Sequence, residues 1–151
     1  VFVSFPRSLL WSHALLTGKG SKSFLLRNLE ISGIPENSIS LMGGNSMQLS
    51  AKNFTSRGFP SFRLISVDGG HTFEITLHDL MVASCLVRDG GLVVLDDFPN
   101  PTWIGVAEAL MHFGNAQDRL IPFMHGYNKV SGDVLLVLLP MLLPSLLWGP
   151  C

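Results

Sequence analysis

The sequence predicts an α/β fold: a Rossmann-like, mostly parallel sheet with helices on both faces and an antiparallel final strand. Three observations predict it. From Ser38 onward, apolar runs of strand length alternate with stretches of helical spacing, the pattern of βαβ units. The run Leu64-Ile65-Ser66-Val67 is nearly all apolar, as expected of a strand covered on both faces. Two apolar runs end abruptly in acid, at Asp68 and at Asp96-Asp97. In open sheets of this kind, ligands bind beyond the carboxyl ends of the strands.

The elements follow in order. Val1–Phe5 reads as a short strand ended by Pro6. Ser8 to Ser23 is mixed, with a turn-like Gly18-Lys19-Gly20-Ser21 that follows no evident strand. Ser23 to Ile31 has helical spacing and stops at Ser32-Gly33. Ser38–Met42 is a strand stopped by Gly43-Gly44, and Ser46 to Arg57 reads as a helix. Phe62–Val67 is a strand, and a helix is expected from about Thr72 to Val87, closed by Asp89-Gly90-Gly91. Leu92–Leu95 is the next strand, and Ile104 to Phe113 a helix. Arg119–Met124 is a strand with a turn at Gly126-Tyr127-Asn128, and Val134–Leu139 is the last strand.

With 151 residues, the chain is read as one partial domain, 1–151, with a divergent apolar tail over 134–151. Hydrophobic residues make up 47% and charged residues 14%, which excludes a disordered chain. A net charge of -1, with no basic stripe, gives nucleic-acid binding little electrostatic support. The tail is apolar, but Pro140 and Pro144 break it and it falls short of the roughly 20 residues a spanning helix needs. Cys85 and Cys151 form neither a disulfide framework nor a zinc site. A reduced Cys85 thiol and a cytoplasmic location are the corresponding expectations.

The chemistry concentrates after two strands. Asp68 and Asp96 each follow an apolar run, and neighbouring strands lie ~4.8 Å apart, so two carboxylates can close on one hard cation. Asp97 adds a third oxygen only if the chain turns there, because in regular strand geometry it faces away. His71, three residues beyond Asp68, is placed to act as a general base. The other histidines are expected to be structural, with His78 on the surface.

The stretch from Phe62 to Phe113, with its DGGH and GGLVVLDD segments, resembles the fourth- and fifth-strand region of class I S-adenosylmethionine-dependent methyltransferases. It is similar to the branch with a DGxH motif, including catechol-type and sugar O-methyltransferases. The resemblance implies magnesium or another divalent metal on Asp68, Asp96 and Asp97, and His71 as the base. Gly43-Gly44-Asn45-Ser46 resembles the segment beside the cofactor's adenine, which implies cofactor contacts from Gly43, Asn45, Ser46 and Asp68. Methyl transfer from S-adenosylmethionine to a hydroxyl of a small-molecule acceptor is the implied function.

Departures from that pattern set further expectations. The chain starts at Val1 and is expected to be truncated at its N-terminus, lacking the first strand, its glycine-rich turn and the first helix. Val1–Phe5 would be the remnant of the second strand, with Ser4 where relatives carry a ribose-binding acid. Phe62–Val67 would then have an open edge, inviting a homo-oligomer, and cofactor binding would be weak. Two rival readings follow: a non-catalytic methyltransferase-like module, and a metal-dependent hydrolase or phosphoryl-transfer domain.

Overall fold

The computed structural model describes residues 2–5, 8–12, 22–38, 40–42, 44–116, 120–127 and 134–140. The strands are β1 (Phe2–Phe5), β2 (Ser8–Ser12), β3 (Ser40–Met42), β4 (Phe62–Asp68), β5 (Val87–Leu95), β6 (Leu120–Tyr127) and β7 (Val134–Pro140). The helices are α1 (Lys22–Ile31), α2 (Ala51–Thr55), α3 (Phe73–Leu86) and α4 (Ile104–Ala116). Single 3₁₀ turns cover Glu36–Ser38 and Ser46–Gln48.

All seven strands join one sheet in the order β3-β1-β2-β4-β5-β7-β6. β2, β4 and β5 pair in parallel, while β7 is antiparallel to both β5 and β6. β1 is antiparallel to β2 and β3. Five strands therefore share one direction, and β1 and β7 oppose it. The antiparallel final strand is as predicted, and the reversed β1 was not foreseen. Helices pack around this mixed sheet, with α3 and α4 against each other and α3 on β4 and β5.

Burial alternates along the central strands. Ile65, Val67, Val93 and Leu95 are buried, while Leu64, Ser66, Leu92 and Val94 are half-buried. One face of the sheet thus carries the core, and the other face is half-buried. The core joins that face to Leu80, Ala83 and Leu86 of α3 and to Val106, Leu110 and Phe113 of α4. Phe54 meets Phe62 edge-on at 6.3 Å, and Phe59 stacks on Phe62 at 6.2 Å, closing the core beneath α2.

Several local expectations are corrected. Ser8–Ser12 is a strand in register with β4, from Ser8 beside Leu64 to Ser12 beside Asp68. With β2 on one side and β5 on the other, β4 has no open edge. Gly18-Lys19-Gly20 therefore does follow a strand and precede α1, although residues 13–21 lie outside the described residues. Because β1 runs backward, Phe2 pairs with Met42 at the carboxyl edge and Ser4 lies farther back, beside Ser40. The expected helix over Ser46 to Arg57 is split by Leu49-Ser50, where Ser50 starts α2 through a capping box with Asn53.

Asp89-Gly90-Gly91 lies inside β5 and does not close α3, since α3 gives way directly to strand at Val87. β6 continues through Gly126 and Tyr127, where a turn was expected. Cys85, expected as a reduced thiol, is disulfide-bonded, so cysteine usage gives no support to a reducing compartment. No helix among the described residues is long and apolar enough to cross a membrane.

Candidate active site

The site lies where β3, β4 and β5 end. β4 finishes at Asp68 and the chain turns through Gly69-Gly70 to His71. Thr72 then caps α3: its hydroxyl accepts from the Ile75 N–H at 3.4 Å. The Thr76 hydroxyl donates to the Gly70 carbonyl at 3.0 Å, fastening the turn to the helix it feeds. On the next strand, the Asp96 N–H donates to the Val67 carbonyl at 3.0 Å, carrying the parallel ladder one residue past Leu95.

At that point the chain makes the turn on which Asp97 depended. Asp97 has φ of 60°, and among the described residues no other non-glycine has positive φ. Aspartate tolerates this left-handed conformation better than most residues, and such strain concentrates at functional sites. Asp96 supports the turn by accepting the Asp97 N–H on its own Oδ1 at 3.0 Å. Asp97 Oδ2 thereby reaches His71 Nε2 at 2.9 Å, with Asp97 largely buried and His71 half-buried. Asn100 Nδ2 donates to the other oxygen, Asp97 Oδ1, at 3.1 Å.

Asp68, His71 and Asp97 each offer a donor atom within 4.8 Å of the others'. Two carboxylates and an imidazole suit a divalent cation, whose ligand oxygens sit at ~2.0–2.6 Å from a magnesium or calcium centre. Asp96, expected in that set, is outside the cluster and stabilises the turn instead. The expected cofactor-side residues are partly placed. Gly43 lies outside the described residues. The Asn45 side-chain oxygen accepts from the Met47 N–H at 3.0 Å, capping the 3₁₀ turn that Ser46 begins.

Sequence reasoning missed four residues. The Trp103 ring stacks on His71, centroids 4.3 Å apart and 26° from parallel, and keeps 41% of its surface exposed. Asn100 places it: its side-chain oxygen accepts from the Thr102 N–H at 2.9 Å and its carbonyl from the Trp103 N–H at 3.0 Å. The Asn100-Pro101 dipeptide is a turn signal that could have found this loop. Gly105 packs the start of α4 onto the His71 loop: a Cβ there would lie 2.7 Å from the His71 carbonyl and 2.6 Å from the Phe73 nitrogen.

The fourth is Asp79, on α3, which is 1% exposed with no hydrogen-bond partner on either oxygen. Burial pushes its carboxyl up to about 6, and the nearby Ser46 side chain offsets this only partly, without a well-formed hydrogen bond. Next to it, His78 is half-buried, not on the surface, and its Nε2 lies 3.1 Å from the Ser46 carbonyl. Burial lowers the His78 pKa.

The Asp79 shift has a signed consequence. A carboxyl raised in the folded state contributes stability below its unfolded pKa, near 4, that is lost as pH rises towards 6. Relative to Asp79→Asn, the wild-type chain is expected to lose up to about 3 kcal/mol over that window. Urea titrations of both proteins at pH 4 and pH 7 measure it, and an equal gap at the two pH values would contradict it.

A family model described as "Methyltransferase domain" matches residues 13–98, more than half of the 151-residue chain. The chain belongs to this methyltransferase domain family. Solved structures agree on the fold. A Bacillus cereus O-methyltransferase in complex with SAH superposes with a TM-score of 0.61 at 13% identity, over 87% of this chain and 61% of that one. A TDP-rhamnose 3'-O-methyltransferase of calicheamicin biosynthesis gives 0.57 at 16%, over 84% and 56%. An rRNA methylase from Streptococcus thermophilus gives 0.51 at 15%, over 87% and 71%. The chain thus spans little more than half the length of the TDP-rhamnose enzyme. No curated protein sequence matches the chain.

Proposed function

We propose that this methyltransferase domain moves a methyl group from S-adenosylmethionine to a hydroxyl of a small-molecule acceptor. The observation that carries the reading is the His71–Asp97 pair at the carboxyl edge, 2.9 Å between Nε2 and Oδ2. An ionised Asp97 accepts the Nε2 proton and so selects the tautomer with its lone pair on Nδ1. That nitrogen takes the acceptor's proton, the oxygen bonds to the methyl carbon, and the methyl–sulfur bond breaks to leave S-adenosylhomocysteine. Positioning supplies much of the rate in such an in-line transfer. Ser46, Asn45, Gly43 and Asp68 form the cofactor side in this reading, and Trp103 walls the acceptor side.

The acceptor class follows from charge and shape. A net charge of -1 gives little electrostatic pull on a polyanion, which favours a small molecule over RNA even though one similar fold is an rRNA methylase. The half-exposed indole over His71 suits a planar or ring-bearing acceptor. A divalent cation would be held by Asp68 and Asp97, with His71 beside them kept as the base. When bound, such an ion lowers the pKa of an oxygen beside it.

The test measures S-adenosylhomocysteine released from S-adenosylmethionine with catechols, hydroxylated glycosides or RNA fragments as acceptors. Release with a small hydroxyl compound and none with RNA is expected. Release with RNA alone would overturn the acceptor assignment. In parallel, magnesium or manganese is expected to raise the melting temperature of the wild-type chain and leave Asp68→Asn unmoved. An equal rise in both would take Asp68 out of the metal set.

A further inference from the structure

The buried carboxylate of Asp79 is not used in the chemistry above, yet it sits where two segments of the site meet. Asp79 Oδ2 fills the space beside Gly69: a Cβ on that glycine would lie 2.7 Å from it. Gly69 is the first residue of the turn that carries Asp68 to His71. On the other side is Ser46, whose side chain lies close enough to influence Asp79 and whose carbonyl is 3.1 Å from His78 Nε2. Two consecutive residues of α3 thus face the segment after β3, and one of them also abuts the turn after β4.

Such a carboxylate is costly. At 1% exposure, with neither oxygen hydrogen-bonded, it is the kind of group native proteins rarely leave unmet. Replacing it with an apolar residue of similar size is expected to stabilise the fold. Stability alone gives no reason for an acid at this position, and its neighbours suggest another. We propose that Asp79 is a positioning residue of the cofactor site, its carboxylate setting the separation of Ser46 from the Gly69 turn. The Ser46 hydroxyl is the donor nearest to hand for that carboxylate. This role rests on the reading of those segments as the cofactor side.

Asp79→Leu and Asp79→Asn test it, with two independent readouts. Hydrogen exchange without any cofactor is expected to quicken at least tenfold at the Ser46 and Gly69 amides in Asp79→Leu, even as the melting temperature rises. Unchanged exchange at both amides overturns the proposal. S-adenosylhomocysteine titration is then expected to show at least tenfold weaker binding in Asp79→Leu. Ser46→Ala should show a similar loss, and adding it to Asp79→Leu should cost little more, since the two residues act as one unit. Wild-type affinity in Asp79→Leu likewise overturns it. If Asp79→Leu does not fold, Asp79→Asn carries the same two measurements. Quickened exchange in a protein whose wild type binds no S-adenosylhomocysteine leaves the tie between segments standing and removes the cofactor reading.

Discussion

Replacing His71 with alanine is expected to lower methyl transfer by about 10²- to 10⁴-fold while cofactor affinity changes little. In the proposed mechanism the imidazole takes the acceptor's proton, held in place by Asp97 at Nε2. Asp97→Asn retains the side chain's shape and its tolerance of the left-handed conformation, but weakens its hold on the Nε2 proton. It is expected to fall between wild type and His71→Ala. Because His71 also stacks on Trp103, His71→Gln serves as a control that keeps bulk beneath the indole. Kinetics at saturating cofactor decide the matter: equal losses in turnover and in cofactor affinity would make His71 a structural residue.

Gly105→Ala is expected to cost about 1–3 kcal/mol of stability, the usual range for overpacking, and to reduce turnover by up to ~10²-fold. The atoms a Cβ would strike at 105 are backbone of His71, Thr72 and Phe73, all within 2.9 Å. Backbone at the start of α3 cannot rotate aside as a side chain would, so α4 must shift away. That shift moves Trp103, two residues before Gly105, relative to His71. The variant separates positioning from chemistry, because His71 and Asp97 are both still present. Urea melts with turnover assays check it, and a Gly105→Ala protein as stable and active as wild type would show that the packing at α4 is loose.

The order of elements was readable from Ser38 onward because its signals are local. The continuous apolar run before Asp68 and the spacing of α3 and α4 each follow from a few neighbouring residues. The N-terminal strands were less readable. Ser8–Ser12 carries one short apolar run between serines, and its assignment depends on pairing with β4, more than fifty residues away. The reversal of β1 is likewise set by tertiary pairing.

The candidate site divides the same way. Asp68 and His71 could be found from motif and spacing. Whether Asp97 joined them turned on one backbone angle that composition does not specify. Asp96, equally acidic and equally placed in sequence, turned towards its neighbour's N–H instead. Trp103, Gly105 and Asp79 act through contacts across the fold, so their roles were hidden until α3, α4 and the strand ends were brought together.

The central claim is that the methyl donor binds where β3 and β4 end, beside the His71–Asp97 pair. Amide NMR of the chain titrated with S-adenosylhomocysteine tests it most directly, because chemical shifts report weak and tight binding alike. Perturbations are expected at residues 44–46 and 68–71, with smaller ones at 96 and 97 and little change in α1 or β6. Saturable binding that leaves Ser46, Asp68 and His71 unmoved while shifting another face of the sheet would contradict the account.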